Sequence, residues 1–344
     1  MQPFDPDRYS RQVRFTPLGP EGQARLAAAR VAVVGCGALG SVVAMTLVRA
    51  GVGFLRIIDR DVPELSNLPR QVLFDEADVV AGVPKAAAAA AHLRRINSAA
   101  QIEPVVADLT PMNAETLLGD VDVIVDGTDN FEARFVVNEY ACRHVIPWVY
   151  GGAIGGEGRV MTVLPGRTAC LRCLIPDPPA PGVMPTCDTA GIIGPTAVVV
   201  GAIEAAEAIK LMVGVTGMGS RLLVCDLWEG AWRSIDLSSL AEHGCATCRG
   251  GDFPWLEGRL GAQAAAICGR DAVQVAALSG VTVDLTELAS RLRSFGAVTA
   301  NPWLVRAEVE PGIQLSVFAD GRAIVAGTRE ESKARAIVAR YVGA

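Results

Sequence analysis

No apolar run in this chain is long enough to cross a bilayer. The longest, 197–203, is soon broken by Glu204 and Glu207, so a membrane-spanning role does not fit. A basic excess is also missing. With 31 Lys and Arg against 37 Asp and Glu the net charge is −6, whereas a surface that tracks nucleic-acid phosphates needs the opposite balance. Nor does the chain open on a charged-then-apolar leader, because residues 1–14 are polar, with Pro, Asp and Arg. A cytosolic protein is expected. Histidine is scarce: His92, His144 and His243 share no spacing with one another or with cysteine that suggests catalysis. Proteins and small molecules remain as partners. A length of 344 residues predicts two domains with a core in each. Nine cysteines, an odd number, point to reduced thiols and metal rather than a disulfide frame.

What is present starts at residues 31–40, where a β-branched run leads into GCGALG at 35–40 and a helical segment, 41–49, follows. A buried strand, a glycine turn and a helix N-terminus form a phosphate cradle. Asp59 ends the next strand and is placed to accept ribose hydroxyls. Those features alone fit any dinucleotide enzyme, including a dehydrogenase. The polar cluster after Asp59 breaks the tie: Asp61, Asn67, Arg70 and Gln71, then Lys85, concentrate triphosphate-compatible groups that hydride transfer does not need.

Strands are predicted at 30–35, 54–59, 101–106, 121–126 and 148–152, with helices at 40–50, 84–97 and 130–143. The alternation predicts an α/β fold, a Rossmann-like doubly wound sheet that is parallel at its start. Segments 157–164 and 221–226 read as antiparallel additions. Between them 174–195 reads as a crossing loop near the active site, and 195–213 as a largely apolar helix, buried in the domain or against a partner. The alanines of 86–91 fit a tightly packed helix.

Cys170 and Cys173, with Cys245 and Cys248, form two C-x-x-C pairs. Four thiolates suit a tetrahedral, structural Zn²⁺ that staples the antiparallel extension; a redox dithiol in each pair is the alternative. Cys36, Cys142, Cys225 and Cys268 read as small core residues.

Taken in order, RYSRQ at 8–12, GCGALG at 35–40, LSNLPRQ at 65–71, Pro84-Lys85, DGTDN at 126–130, PTC at 185–187 and the two cysteine pairs resemble the ThiF/MoeB/HesA adenylyltransferases, relatives of the adenylation domains of ubiquitin-activating enzymes. The resemblance covers about residues 8–250. It implies ATP-dependent activation of the C-terminal glycine of a small ubiquitin-like sulfur carrier ending in Gly-Gly, as an acyl-adenylate for sulfur transfer, serving thiamine or molybdenum cofactor synthesis. A cysteine desulfurase or other sulfur donor would follow. The alternatives are a relative that adenylates tRNA or a small carboxylate, and a nucleotide-binding scaffold without catalysis.

The reaction brings two anions together, so the site must supply cations and a metal-binding acid. Arg70 and Lys85 are the expected cations, Asp129 the Mg²⁺ ligand, Asn67 a phosphate hydrogen-bond partner, and Asp59 the ribose anchor. The ATP site is expected to comprise Gly35, Gly37, Ala38, Gly40, Asp59, Asp61, Ser66, Asn67, Arg70, Lys85, Asp129 and Asn130. By the resemblance, Arg11 is an arginine finger reaching the triphosphate of the other subunit of a homodimer; pairing with nearby acids is the plainer reading. Arg134 either supports the acyl-phosphate region or makes a surface ion pair, and Asp129-Asn130 doubles as a helix cap. Cys187 is a candidate nucleophile, although the adjacent Asp188 would raise its pKa.

Two departures from the family stand out. Ala38 occupies a place where many relatives have glycine. Beyond residues 1–250, Phe253-Pro254-Trp255 reads as a linker to a small α+β domain, 256–344, with a strand at 264–277, a helix at 285–295, a strand at 303–309, a hairpin around Asp320-Gly321 and a helix at 330–342. That domain is expected either to dock the carrier or to support the dimer and the zinc knuckle.

Overall fold

Short β-branched runs become the strands of one sheet in the first of two compact units, Met1–Gly261; the second is Ala262–Ala344. The computed structural model describes residues 4–178, 190–260, 272–275 and 283–342. In the first unit β1 (Arg30–Val34), β2 (Phe54–Ile58), β3 (Gln101–Val105), β4 (Val123–Asp126), β5 (Trp148–Ile154), β6 (Glu157–Val163), β7 (Arg221–Asp226) and β8 (Ala231–Asp236) lie in the order β3-β2-β1-β4-β5-β6-β7-β8. The first five are parallel, and β6 to β8 are antiparallel additions, of which the sequence predicts β6 and β7. β8 had no sequence signal. It lies at the sheet edge and is largely exposed, so no alternation of buried and exposed positions marks it.

Helices Ala38–Ala50, Lys85–Ile96 and Gly194–Val213 share one core with the sheet, and Phe131–His144 packs on the opposite face. Gly194–Val213 is buried within this unit: at Gly201 an added Cβ would lie 2.8 Å from Val42 Cβ, so only glycine lets the helix seat on Ala38–Ala50. Ala86 to Ala90 are all buried, which sets Lys85–Ile96 flush against β2 and β3. The segment read as a linker is instead fastened to the first unit. Trp255 packs on Phe135 at 5.3 Å between ring centroids, and its N–H and that of Leu256 donate to Glu139.

The second unit is a five-stranded antiparallel sheet, β10-β11-β12-β13-β9, made of β9 (Ala272–Val275), β10 (Val298–Ala300), β11 (Leu304–Glu310), β12 (Ile313–Phe318) and β13 (Ala323–Ala326). Helices Leu285–Leu292 and Glu331–Tyr341 share its core through Leu288, Leu292 and Ile337. Of the predicted 264–277 strand, 272–275 is observed; the rest, with Cys268, lies outside the described residues. Among the described residues no helix is long and apolar enough to cross a membrane.

Candidate functional site

Where β1 ends, three glycines interlock backbone to backbone. Gly35 has φ +87°, and a Cβ on it would meet the Gly127 carbonyl at 2.6 Å; on Gly40 it would meet the Gly35 carbonyl at 1.9 Å, and on Gly127 the same carbonyl at 2.3 Å. These positions are glycine because the chain crosses itself. Gly37 differs: the nearest atom to an added Cβ is Gln71 Nε2 at 3.8 Å. Its open side faces outward just before helix Ala38–Ala50, where unpaired N–H groups attract an anion.

Asp59 ties this loop to the end of β2. Its Oδ2 accepts the Cys36 N–H at 2.6 Å and its Oδ1 the Asp61 N–H at 2.7 Å. Burial raises the Asp59 pKa, the Lys85 ammonium opposes this, and Asp61 adds to it. Lys85 is no solvated lysine: at 4% exposure its Nζ lies 3.3 Å from Asp61 Oδ2, while its N–H donates to the Asp61 carbonyl. Asn67 is buried, its Oδ1 accepting the Glu64 N–H, and Arg70 Nη1 donates to the Ser66 carbonyl at 2.6 Å. Gln71, noted in the sequence but given no role, is 4% exposed and faces Gly37; its Oε1 has no hydrogen-bond partner among the described residues.

The Asp126-Asn130 turn closes the other side. Asp126 accepts from the Thr128 N–H and hydroxyl through Oδ1 and from Arg134 Nε through Oδ2, the last at 2.8 Å. Arg134 is buried, and its Nη2 donates to the carbonyls of Thr128 and Gly151. The surface ion pair is therefore overturned: Arg134 pins the turn to β5. Asn130 alone caps helix Phe131–His144, accepting the Ala133 N–H at 2.8 Å, which leaves the Asp129 carboxylate exposed at the rim.

The four pair cysteines converge. Sγ separations are 3.8 Å within each C-x-x-C pair and 3.5 Å between Cys170 and Cys245 and between Cys173 and Cys248. Thiolates bound to one tetrahedral Zn²⁺ at about 2.3 Å would stand about 3.8 Å apart, so the set fits such an ion. Cys142, read as a small core residue, is half-buried and packs against the core that also holds Cys170. Arg172 adds a metal-independent brace, donating to Thr247 Oγ1 at 2.9 Å and pairing with the fully buried Glu139.

A family model described as the ThiF family matches residues 9–247. The chain belongs to the ThiF family. It is 42% identical over 337 residues to the sulfur carrier protein ThiS adenylyltransferase of Bacillus subtilis, covering 98% of this chain and 99% of that one. It is 40% identical over 254 residues to a sulfur carrier protein adenylyltransferase of Thermus thermophilus, covering 72% and 92%. The solved structure of MccB from E. coli shares the fold, with a TM-score of 0.61 at 24% identity over 70% of this chain and 71% of that one.

Two features of this ThiF-family chain lie apart from the loop. Arg11 is exposed and makes no hydrogen bond or ion pair among the described residues, so it is not spent on nearby acids. Its neighbours are fixed: Tyr9 is buried and accepts from Asn97, while Gln12 donates to the Ala50 carbonyl at 2.7 Å. Ala50 ends the helix that Gly37 begins, and its 13 residues correspond to about 20 Å at 1.5 Å per residue. Arg11 thus sits at the far end of that helix from its own loop. The second feature is a concavity of about 250 Å³ over β6, β7 and β8, lined by Val160, Ile203, Leu223, Cys225 and Trp232 with Arg159 and Arg233. It lacks the carboxylates and the glycine cradle that the loop combines. Cys187 lies outside the described residues.

Proposed function

We propose that the chain is an ATP-dependent adenylyltransferase that activates the C-terminal glycine carboxylate of a small ubiquitin-like sulfur carrier. The observation that carries this reading is Lys85, an ammonium buried beside the loop at 4% exposure and shared with Asp61, where a triphosphate would lie. The end-to-end match to the Bacillus subtilis relative supports it and favours a ThiS-like carrier, hence thiamine rather than molybdenum cofactor synthesis.

The carrier carboxylate attacks the α-phosphorus of ATP, the bond to the β-phosphate oxygen breaks, and pyrophosphate leaves with that electron pair. Arg70 and Lys85 offset the repulsion between the two anions. Gly37 and the helix behind it take the phosphates, Asp59 meets the ribose on its remaining lone pairs, and Asn67 and Gln71 supply neutral hydrogen bonds. Asp129 would hold Mg²⁺, which when bound neutralises the outer phosphates. Cys170, Cys173, Cys245 and Cys248 would hold a structural Zn²⁺. Adenylation itself needs no thiol, so Cys187 has no part in this step. The acyl-adenylate then passes to sulfur transfer from a cysteine desulfurase or another sulfur donor. A reducing cytoplasm, where cysteines stay available as metal ligands, is the location this reading calls for.

Arg11 completes the site from the other copy of a homodimer, since its own loop is a helix length away. Carrier-dependent ATP–pyrophosphate exchange tests the whole reading. Arg11→Ala is expected to lower exchange by about 10³-fold, and Lys85→Ala to abolish it. Mixing these two inactive variants should restore exchange in the mixed dimers. No exchange with any Gly-Gly carrier would overturn the activity, and no recovery on mixing would overturn the shared site.

A further inference from the structure

Helix Gly194–Val213 buries a carboxyl group that none of the steps above employs. Glu204 is 0% exposed, and neither side-chain oxygen has a hydrogen-bond partner among the described residues. It presses on β5 so closely that a Cβ at Gly151 would lie 2.1 Å from Glu204 Oε1. The carbonyl of that same glycine accepts Arg134 Nη2 at 2.9 Å, which links the carboxyl to the turn carrying Asp129. Val149, Val200, Ala197 and Ala205 share its core.

The elements packed on this helix are helices Gly19–Ala28 and Ala38–Ala50 and strands β4, β5 and β6. Their charged groups are few. Glu21 is exposed, Arg25 donates to the Val213 carbonyl at the far helix end, Arg49 lies in the last turn of its helix, and Glu157 pairs with Arg159. Glu207, one turn along, binds Thr162 and Lys210. Asp126 and Arg134 are the charges that act on Glu204. Burial first, and Asp126 second, hold the carboxyl well above the usual glutamic acid range, against a weaker pull from Arg134.

We propose that Glu204 makes nucleotide binding proton-linked: as the neutral acid it leaves Arg134 to Asp126, Thr128 and Gly151, and on ionising it competes for Arg134, loosens the Asp126-Asn130 turn and weakens ATP binding. This rests on the reading that the turn borders the nucleotide. A carboxyl neutral in the fold but ionised in the unfolded chain has a definite stability signature. Its contribution is fully present below the ordinary glutamic acid pKa and falls as pH rises toward its raised folded value.

The test compares the wild type with Glu204→Gln, using binding of a fluorescent ATP analogue and thermal melts from about pH 6 to about pH 10. The expected result is a wild-type affinity that falls about tenfold across the alkaline arm, a flat profile in the variant, and a higher melting temperature for the variant over the same range. Infrared difference spectra at neutral pH should show a protonated carboxylic acid band in the wild type only. An alkaline arm shared by both proteins, or absence of that band, overturns the proposal. If neither protein binds nucleotide at neutral pH, the functional reading fails and takes the proton linkage with it; the infrared band then reports separately on the protonation of Glu204. Should Glu204→Gln not fold, Glu204→Leu, which also cannot titrate, is held to the same outcomes.

Discussion

The two ends of the first unit are built on different principles. At the glycine-loop end, Gly35, Gly40 and Gly127 close main chain on main chain, with no room for a methyl group. At the cysteine end, four thiols, Arg172, Thr247 and Glu139 converge side chain on side chain. A joint of the first kind is fixed by excluded volume, and one of the second kind by bonding partners. The former tolerates no substitution; the latter tolerates loss of one partner while others remain.

Arg134→Ala should have the largest effect on stability, because it strands the Asp126 carboxylate in the core at 1% exposure. A loss of about 3–5 kcal/mol in urea unfolding is expected. Gly40→Ala comes next, since its methyl group would overlap a carbonyl oxygen that cannot move aside, and about 3 kcal/mol should be lost together with ATP binding. If Gly40→Ala were silent, the contrast between the two ends would be broken. Cys173→Ser should cost less, about 2 kcal/mol, and elemental analysis should find the proposed zinc in the wild type and little in the variant, while the Arg172 brace keeps the segment folded. Gly37→Ala should be the mildest for the fold, about 1 kcal/mol or less. It should still weaken ATP binding measured by calorimetry, because the methyl group would fill the open space proposed for the phosphates.

The same contrast explains what could be read without a structure. Glycine and cysteine carry their meaning in their identity and spacing, so the loop at 35–40 and both C-x-x-C pairs were legible, as were β1 to β7, most clearly β1, β2 and β4, whose buried runs are rich in Val and Ile. Arg134 was ambiguous because a guanidinium one helical turn past a cap is exposed or buried according to what packs above it. Gln71 stood out in sequence only as one of a polar cluster, and Glu204 announces nothing there; the isolation of Glu204 from partners exists only once β5 and the long helix are assembled. Phe253-Pro254-Trp255 resembled a connector because proline and aromatics flank a polar stretch, and the grip of Glu139 on the next amides comes from a residue more than a hundred positions earlier. β8 was invisible for the opposite reason: an exposed edge strand has no burial pattern to read.

The alanine run at 86–90 is chemically the blandest stretch of the chain, and it governs how far one amine can extend. Because each of these small side chains is buried where the helix meets β2, β3 and a neighbouring helix, methyl groups alone fill the space between the helix and what it packs on. Lys85 begins that helix. A single valine or leucine among the alanines would lift the whole rod and swing the ammonium away from its appointed anion, so a mutation that alters no reactive group could silence the protein by changing a lever's fulcrum.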